Sequence, residues 1–160
     1  MTQLEMSLPQ GNDNSSRLAA RSRYAHSAPL PANLIPWKSA IQGSGDPCAL
    51  LDENLRIRAM SISALRLLGL SAEVEETMPR FLDAGIRFVD FSPGGHRLGT
   101  PELGRLPMLR AMQSNTLERG LARIEMDGSR LTMDIIASPL HRHDESEPSG
   151  VVAFLRQVGT

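Results

Sequence analysis

Apolar and polar residues alternate most cleanly over residues 125–158. Leu131, Met133, Ile135 and Ala137 fall on one side of an extended segment, and Thr132, Asp134, Ile136 and Ser138 on the other. That period of two predicts a sheet strand. Asp127-Gly128 lies between this segment and the Ile124-Glu125-Met126 run, a strong hairpin signal because glycine tolerates the positive φ of a tight turn. Residues 141–150 are polar and rich in turn formers, so the chain reverses again before Val151-Val152-Ala153-Phe154-Leu155. A three-stranded antiparallel meander follows, with an apolar face that the rest of the chain must cover.

Upstream, residues 1–30 show no sustained apolar period and are expected to be a disordered tail, with a mild basic cluster at Arg17, Arg21 and Arg23. Asn33 is placed to cap a short amphipathic helix within residues 31–43, whose Leu34, Trp37 and Ile41 lie close to one face. The compact domain is expected over residues 44–158. It opens with Cys48-Ala49-Leu50-Leu51 as a strand and Asp52-Glu53-Asn54 as a turn. A second strand follows, alternating Leu55, Ile57 and Ala59 against Arg56, Arg58 and Met60. Ser61 or Ser63 caps a helix carrying Leu65, Leu67 and Leu68, which Gly69 ends. Residues 73–81 read as another short helix with Glu73, Glu75 and Glu76 in its first turn, facing solvent. Residues 85–91 are apolar but short, 92–95 form a loop, and 101–117 hold a longer helix interrupted or restarted at Pro107.

Composition narrows the function. The 160 residues suit one domain. A net charge of -1 argues against a nucleic-acid or anionic-membrane footprint. With Cys48 as the sole cysteine, neither an intramolecular disulfide nor a cysteine-based zinc site is available, which suits a cytoplasmic protein. Neither a secretory leader nor an apolar run of spanning length stands out, so no membrane association is expected.

The order of these elements resembles the PAS domains. Ala49-Leu50-Leu51-Asp52-Glu53-Asn54-Leu55-Arg56-Ile57 looks like their opening hairpin, and Ser61-Ile62-Ser63-Ala64-Leu65-Arg66-Leu67-Leu68-Gly69-Leu70 like the helix after it. Ile124-Glu125-Met126-Asp127-Gly128-Ser129 and Ser138-Pro139-Leu140 match the later signatures, and the resemblance covers residues 46–158. Ser61 stands where the family often has Asn, so the bond that residue makes across the early loop is weakened or replaced. The resemblance implies an α+β fold, a five-stranded antiparallel sheet with short helices packed on one face. It also implies a signal-sensing or interaction module without catalysis of its own. Such a module acts through dimerisation or a separate effector, in settings that include transcription regulation. A small apolar-ligand carrier of the same fold is the alternative.

The candidate chemistry is sparse. A flavin-cysteinyl photosensor needs a reactive cysteine on the helical side, whereas Cys48 falls in the first strand. Haem needs an axial histidine on the connecting helix, and His96 precedes that helix. His141, His143, Asp144, Glu145 and Glu147 are metal-ligand types, yet they sit in a loop that offers no fixed convergence, so no metal site is assigned. No catalytic residue emerges either: 92–96 lacks both a nucleophile elbow and a phosphate loop. An internal pocket, if open, would be lined by Leu50, Ile57, Leu65, Leu68, Phe81, Phe88, Leu109, Met112, Ile124, Met133, Ile135 and Phe154. The meander is apolar on both faces, so its second face also needs cover. Leu34, Trp37 and Ile41 could supply that cover, either within the chain or across a homodimer interface.

Overall fold

Residues 28–159 are described by a computed structural model; the expected tail at 1–30 therefore lies almost wholly outside the described residues. A 3-10 turn (Ala32–Leu34) leads into α1 (Ile35–Gln42), then β1 (Cys48–Asp52) and β2 (Ile57–Met60). Two short helices, α2 (Ile62–Leu68) and α3 (Glu73–Thr77), precede a 3-10 turn (Phe81–Asp83) and β3 (Arg87–Val89). Helices α4 (Thr100–Leu103) and α5 (Pro107–Ser114) lead into the meander β4 (Glu118–Met126), β5 (Ser129–Leu140) and β6 (Gly150–Gly159). One antiparallel sheet results, in the order β2-β1-β6-β5-β4-β3.

The hairpin signal operates as expected. Asp127 and Gly128 adopt φ of 50° and 75°, as a type I′ turn requires, and they set Met126 opposite Ser129. That register makes Ile124 face Leu131 and Ala122 face Met133. β6 then lies between β5 and β1, at the centre of the sheet. Ser61 caps α2 through its side chain, and Gly69 closes the helix in the left-handed region at φ 64°.

Several local expectations need correction. The sheet has six strands rather than five, because Phe88 pairs with Ile124 and brings the short 87–89 run onto the edge of β4. Three residues are too few to show a period. The alternation of 55–60 fails at a register shift: Leu50 pairs with Ala59 but Leu51 with Ile57, so Arg58 is the extra residue and Ile57 and Ala59 face opposite sides. The 73–81 helix stops at Thr77, where Met78 turns to φ 44° before Pro79, a residue with no N–H to extend the ladder. Asn33 does not cap α1; it sits inside the 3-10 turn and donates from Nδ2 to Ser149 Oγ at 2.6 Å. Finally, Glu75 is only partly exposed, since its carboxylate accepts from Met60 N at 2.7 Å and Gln42 Nε2 at 2.8 Å.

Two apolar layers flank the sheet. On the inward side Leu51, Ile57, Phe81, Phe88, Ile124, Met133, Ile135 and Leu155 pack with Leu68 and Met108 of the helices. On the outward side Leu34 and Ile41 cover Cys48, Leu50, Ala59 and Val152. Gly150 sits under that cover, and a Cβ there would meet Leu51 O at 2.5 Å and Leu34 Cδ1 at 3.1 Å. Gly150→Ala is expected to cost about 2 kcal/mol of stability in urea unfolding, because β1 or α1 must move away. An unchanged midpoint would contradict this packing.

Candidate functional site

Ten of the twelve expected pocket residues converge between helices and sheet: Ile57, Leu65, Leu68, Phe81, Phe88, Leu109, Met112, Ile124, Met133 and Ile135. Phe81 and Phe88 approach with ring centroids 6.1 Å apart. Leu50 and Phe154 do not join them. Leu50 lies in the outward cluster under Leu34, and Phe154 pairs with Cys48 and Ile136 on the same outward side. Both belong to strands with apolar residues on each side, and the signal missed is the polar residue two positions on, Asp52 after Leu50 and Arg156 after Phe154, which shares their side.

The expected interface residues are divided as well. Leu34 and Ile41 are buried against their own sheet, while Trp37 stays 39% exposed and Ile35 is exposed beside it. The cover they supply spans β1, β2 and the start of β6 only. Across β4, β5 and the end of β6 none of the described residues covers the outward side, leaving Leu121 58% and Phe154 43% exposed, with Ile136 half-buried and Val158 exposed.

In the middle of this open strip stands Asp134, a nearly buried carboxylate. Arg119 holds it with a fork, Nε to Oδ1 at 2.9 Å and Nη2 to Oδ2 at 2.6 Å, and Arg156 Nη2 adds a bond to Oδ2 at 3.0 Å. Both guanidinium groups remain largely exposed. Ile136, Phe154 and Leu155, with Asp46 and Pro47 at the far rim, complete a groove of about 470 Å³ around this cluster. Hydrogen bonds from Arg119 hold the Asp134 carboxyl below its ordinary range, against the opposing effect of desolvation and with further help from Arg156. The stabilisation is present above the unfolded carboxyl pKa, ~3.9, and is lost as pH falls through the lower folded value. An NMR titration of the Asp134 carboxyl carbon is expected to show a midpoint below ~3.9, and Arg119→Gln should raise it. A midpoint unmoved by that substitution would contradict the fork.

Sheet edges, by contrast, are closed to strand addition at both ends. Along β2, Ile57 N donates to Pro79 O, Phe81 N to Leu55 O, and Met60 N to Glu75. Along β3, Asp90 N donates to His96 O and Leu98 N to Phe88 O. These partners occupy the groups an added strand would use.

The other candidate polar groups of the described residues lie apart from this cluster. Cys48 is buried on the outward side under Leu34 and Ile41, across the sheet from the core that Leu68 and Met108 join. His96 is exposed, with Nδ1 3.2 Å from Ser92 Oγ and 3.4 Å from Asp90 Oδ2. Asp90 Oδ1 accepts from Ser92 Oγ and from the backbone of Ser92 and His96, bonds that depress its carboxyl pKa and order the loop. His141 contacts Asn115, and Arg142 pairs with Glu145 at 2.9 Å in the β5–β6 loop. Among the described residues no three His, Cys, Asp or Glu side chains converge as metal ligands. None of the described helices is long and apolar enough to cross a membrane.

Comparison with known proteins settles the fold. No family model matches the chain, and no curated protein matches it. Solved structures do. The Rhodobacter sphaeroides LOV protein superposes with a TM-score of 0.54 at 14% identity, covering 76% of this chain, which spans 64% of that protein. The PAS domain of a Colwellia psychrerythraea protein gives 0.53 at 16% identity, over 78% of this chain and 96% of its own. A light-oxygen-voltage domain gives 0.55 at 14% identity, over 81% and 89%. The chain has the PAS fold. Within that PAS architecture the helical side holds a packed apolar core, and the outward side is covered by its own α1 across β1 and β2. The Ser61 position is also resolved: its hydroxyl accepts from Cys48 N at 3.0 Å and donates to Asp46 O at 2.8 Å, so serine makes the bond across the early loop.

Proposed function

We propose that this chain is a sensory or interaction module of PAS type, which passes its signal by contact through the open outward strip of β4, β5 and β6. The observation that carries the reading is the half-covered sheet. Its edges are closed, α1 covers one half of the outward side, and the other half exposes Leu121, Phe154 and Val158 around a fixed charge cluster. Large apolar side chains grouped on a strand face lose free energy of hydration only when something covers them. The module performs no catalysis in this reading; its output belongs to whatever occupies the strip. That occupant is a separate effector or a second copy meeting the strip through Trp37 and Ile35.

Sedimentation equilibrium of the full chain tests the reading with Trp37→Ala and Phe154→Asp. If a second copy is the occupant, each substitution raises the dimer dissociation constant at least about tenfold, ~1.4 kcal/mol. A wild type monomeric at ~100 μM, weaker than ordinary specific self-association, assigns the strip to an effector. A stable dimer indifferent to both substitutions would place the contact elsewhere and contradict the reading.

A further inference from the structure

The outward strip has a charge pattern that selects its occupant. Arg119 and Arg156 converge on Asp134, and Arg123 lies on the same side, its guanidinium 4.7 Å above the Phe91 ring. Two arginines thus hold one nearly buried carboxylate, with Asp46 at the far rim and Arg123 further along the same face. Arg119 spends two of its five N–H donors on Asp134, and Arg156 spends one. The unspent donors point from two side chains whose positions Asp134 fixes. Next to them, Ile136 and Phe154 pair across β5 and β6 and floor the groove.

Resting on the functional reading above, we propose that the occupant of this strip is an acidic amphipathic peptide segment of a partner protein. It would seat an apolar side chain on Ile136 and Phe154 and a carboxylate on the Arg119–Arg156 pair. Guanidinium forks match carboxylates in plane and in number of donors, so the charged contact sets register while the apolar one supplies most of the area. A second copy fits poorly. The strip would meet another arginine-rich strip, or the α1 segment, which offers Lys38 and contains no Asp or Glu from residue 30 to residue 42. Like charges brought together across a contact oppose it. A nucleic acid is disfavoured by the apolar floor and by the net charge of -1.

The test uses the full chain labelled with nitrogen-15 and a synthetic twelve-residue peptide alternating Glu with Leu or Phe. The controls are the same peptide with every Glu replaced by Gln or by Lys. The acidic peptide should shift the Arg119 and Arg156 side-chain N–H signals and the backbone amides of 134–136 and 154–156, with saturation. The Gln peptide should bind at least about tenfold more weakly, the Lys peptide should leave these signals in place, and Arg156→Gln should weaken the acidic peptide by about tenfold. That variant keeps the Arg119 fork on Asp134, and its dispersed spectrum would confirm an intact fold. Equal affinity for the acidic and Gln peptides would overturn the proposal. So would shifts at these signals that follow protein concentration alone, which would identify a second copy and leave the functional reading standing. Signals unmoved by every peptide and every concentration would overturn both.

Discussion

Replacing Arg58 with Met is expected to lower the unfolding free energy by about 3–5 kcal/mol, the usual effect of removing one partner from a buried ion pair. Arg58 Nη1 donates to Asp52 Oδ2 at 3.0 Å, and both side chains are nearly inaccessible to solvent. The other Asp52 oxygen accepts from Asn54 N at 2.9 Å and Arg56 N at 3.1 Å. The carboxylate therefore holds a turn in which Leu55 adopts φ 58°, a conformation unfavourable for a leucine. Without Arg58 a buried negative charge keeps only two backbone donors. Arg58 Nη2 also donates to Ala28 O at 2.9 Å, so the substitution frees the segment leading to α1 as well. Urea unfolding followed by fluorescence of Trp37, the sole tryptophan, reports both events. A loss below ~1 kcal/mol, the value of an exposed pair, would contradict the burial of this one.

Ser61→Ala is expected to cost about 3 kcal/mol, far more than an ordinary cap. A hydroxyl has one donor and two acceptor positions, and Ser61 uses all three. It accepts from Ala64 N at 3.1 Å, which caps α2, and from Cys48 N at 3.0 Å, which anchors β1, and it donates to Asp46 O at 2.8 Å. The residue is fully buried, so water cannot replace those bonds in the alanine variant. Cap loss alone accounts for about 1 kcal/mol. Each buried group left unpaired adds a further ~1 kcal/mol or more. A change no larger than the cap term, read from the urea midpoint at constant slope, would show that the loop bonds contribute nothing.

How far these features could be read from the residues depends on how local their causes are. The Asp127-Gly128 turn, the Ser61 and Gly69 ends of α2 and the restart at Pro107 are decided within a few residues, and each is visible in the sequence. The β2 bulge is not, because the extra residue Arg58 is chosen by a partner strand and by Asp52. The placement of Leu50 and Phe154 is only faintly marked, because their strands carry apolar residues on both sides and a single polar residue on theirs, Asp52 and Arg156. The charge cluster is half legible. A two-residue turn at 127–128 fixes the β4–β5 register, which makes Arg119 a diagonal neighbour of Asp134. Arg156 arrives only through the β5–β6 pairing, and the 141–149 loop between those strands leaves the register open until the sheet is built. The cover supplied by Leu34 and Ile41 was legible as a need. Its source within the chain follows from the path that carries 28–42 across β1 and β2.

The claim that contact runs through the outward strip and not the helical layer is tested most directly by two matched substitutions. Phe154 lies on the strip, and Ile62, 61% exposed, opens α2 away from it. Phe154→Asp and Ile62→Asp each add one charge at an exposed apolar site, and urea unfolding of each variant shows that it is folded before association is compared. Association of each full chain is then measured by sedimentation equilibrium and by anisotropy of the labelled acidic peptide. Phe154→Asp should weaken association at least about tenfold while Ile62→Asp leaves it within about twofold of wild type. Association lost in Ile62→Asp and kept in Phe154→Asp would contradict the account.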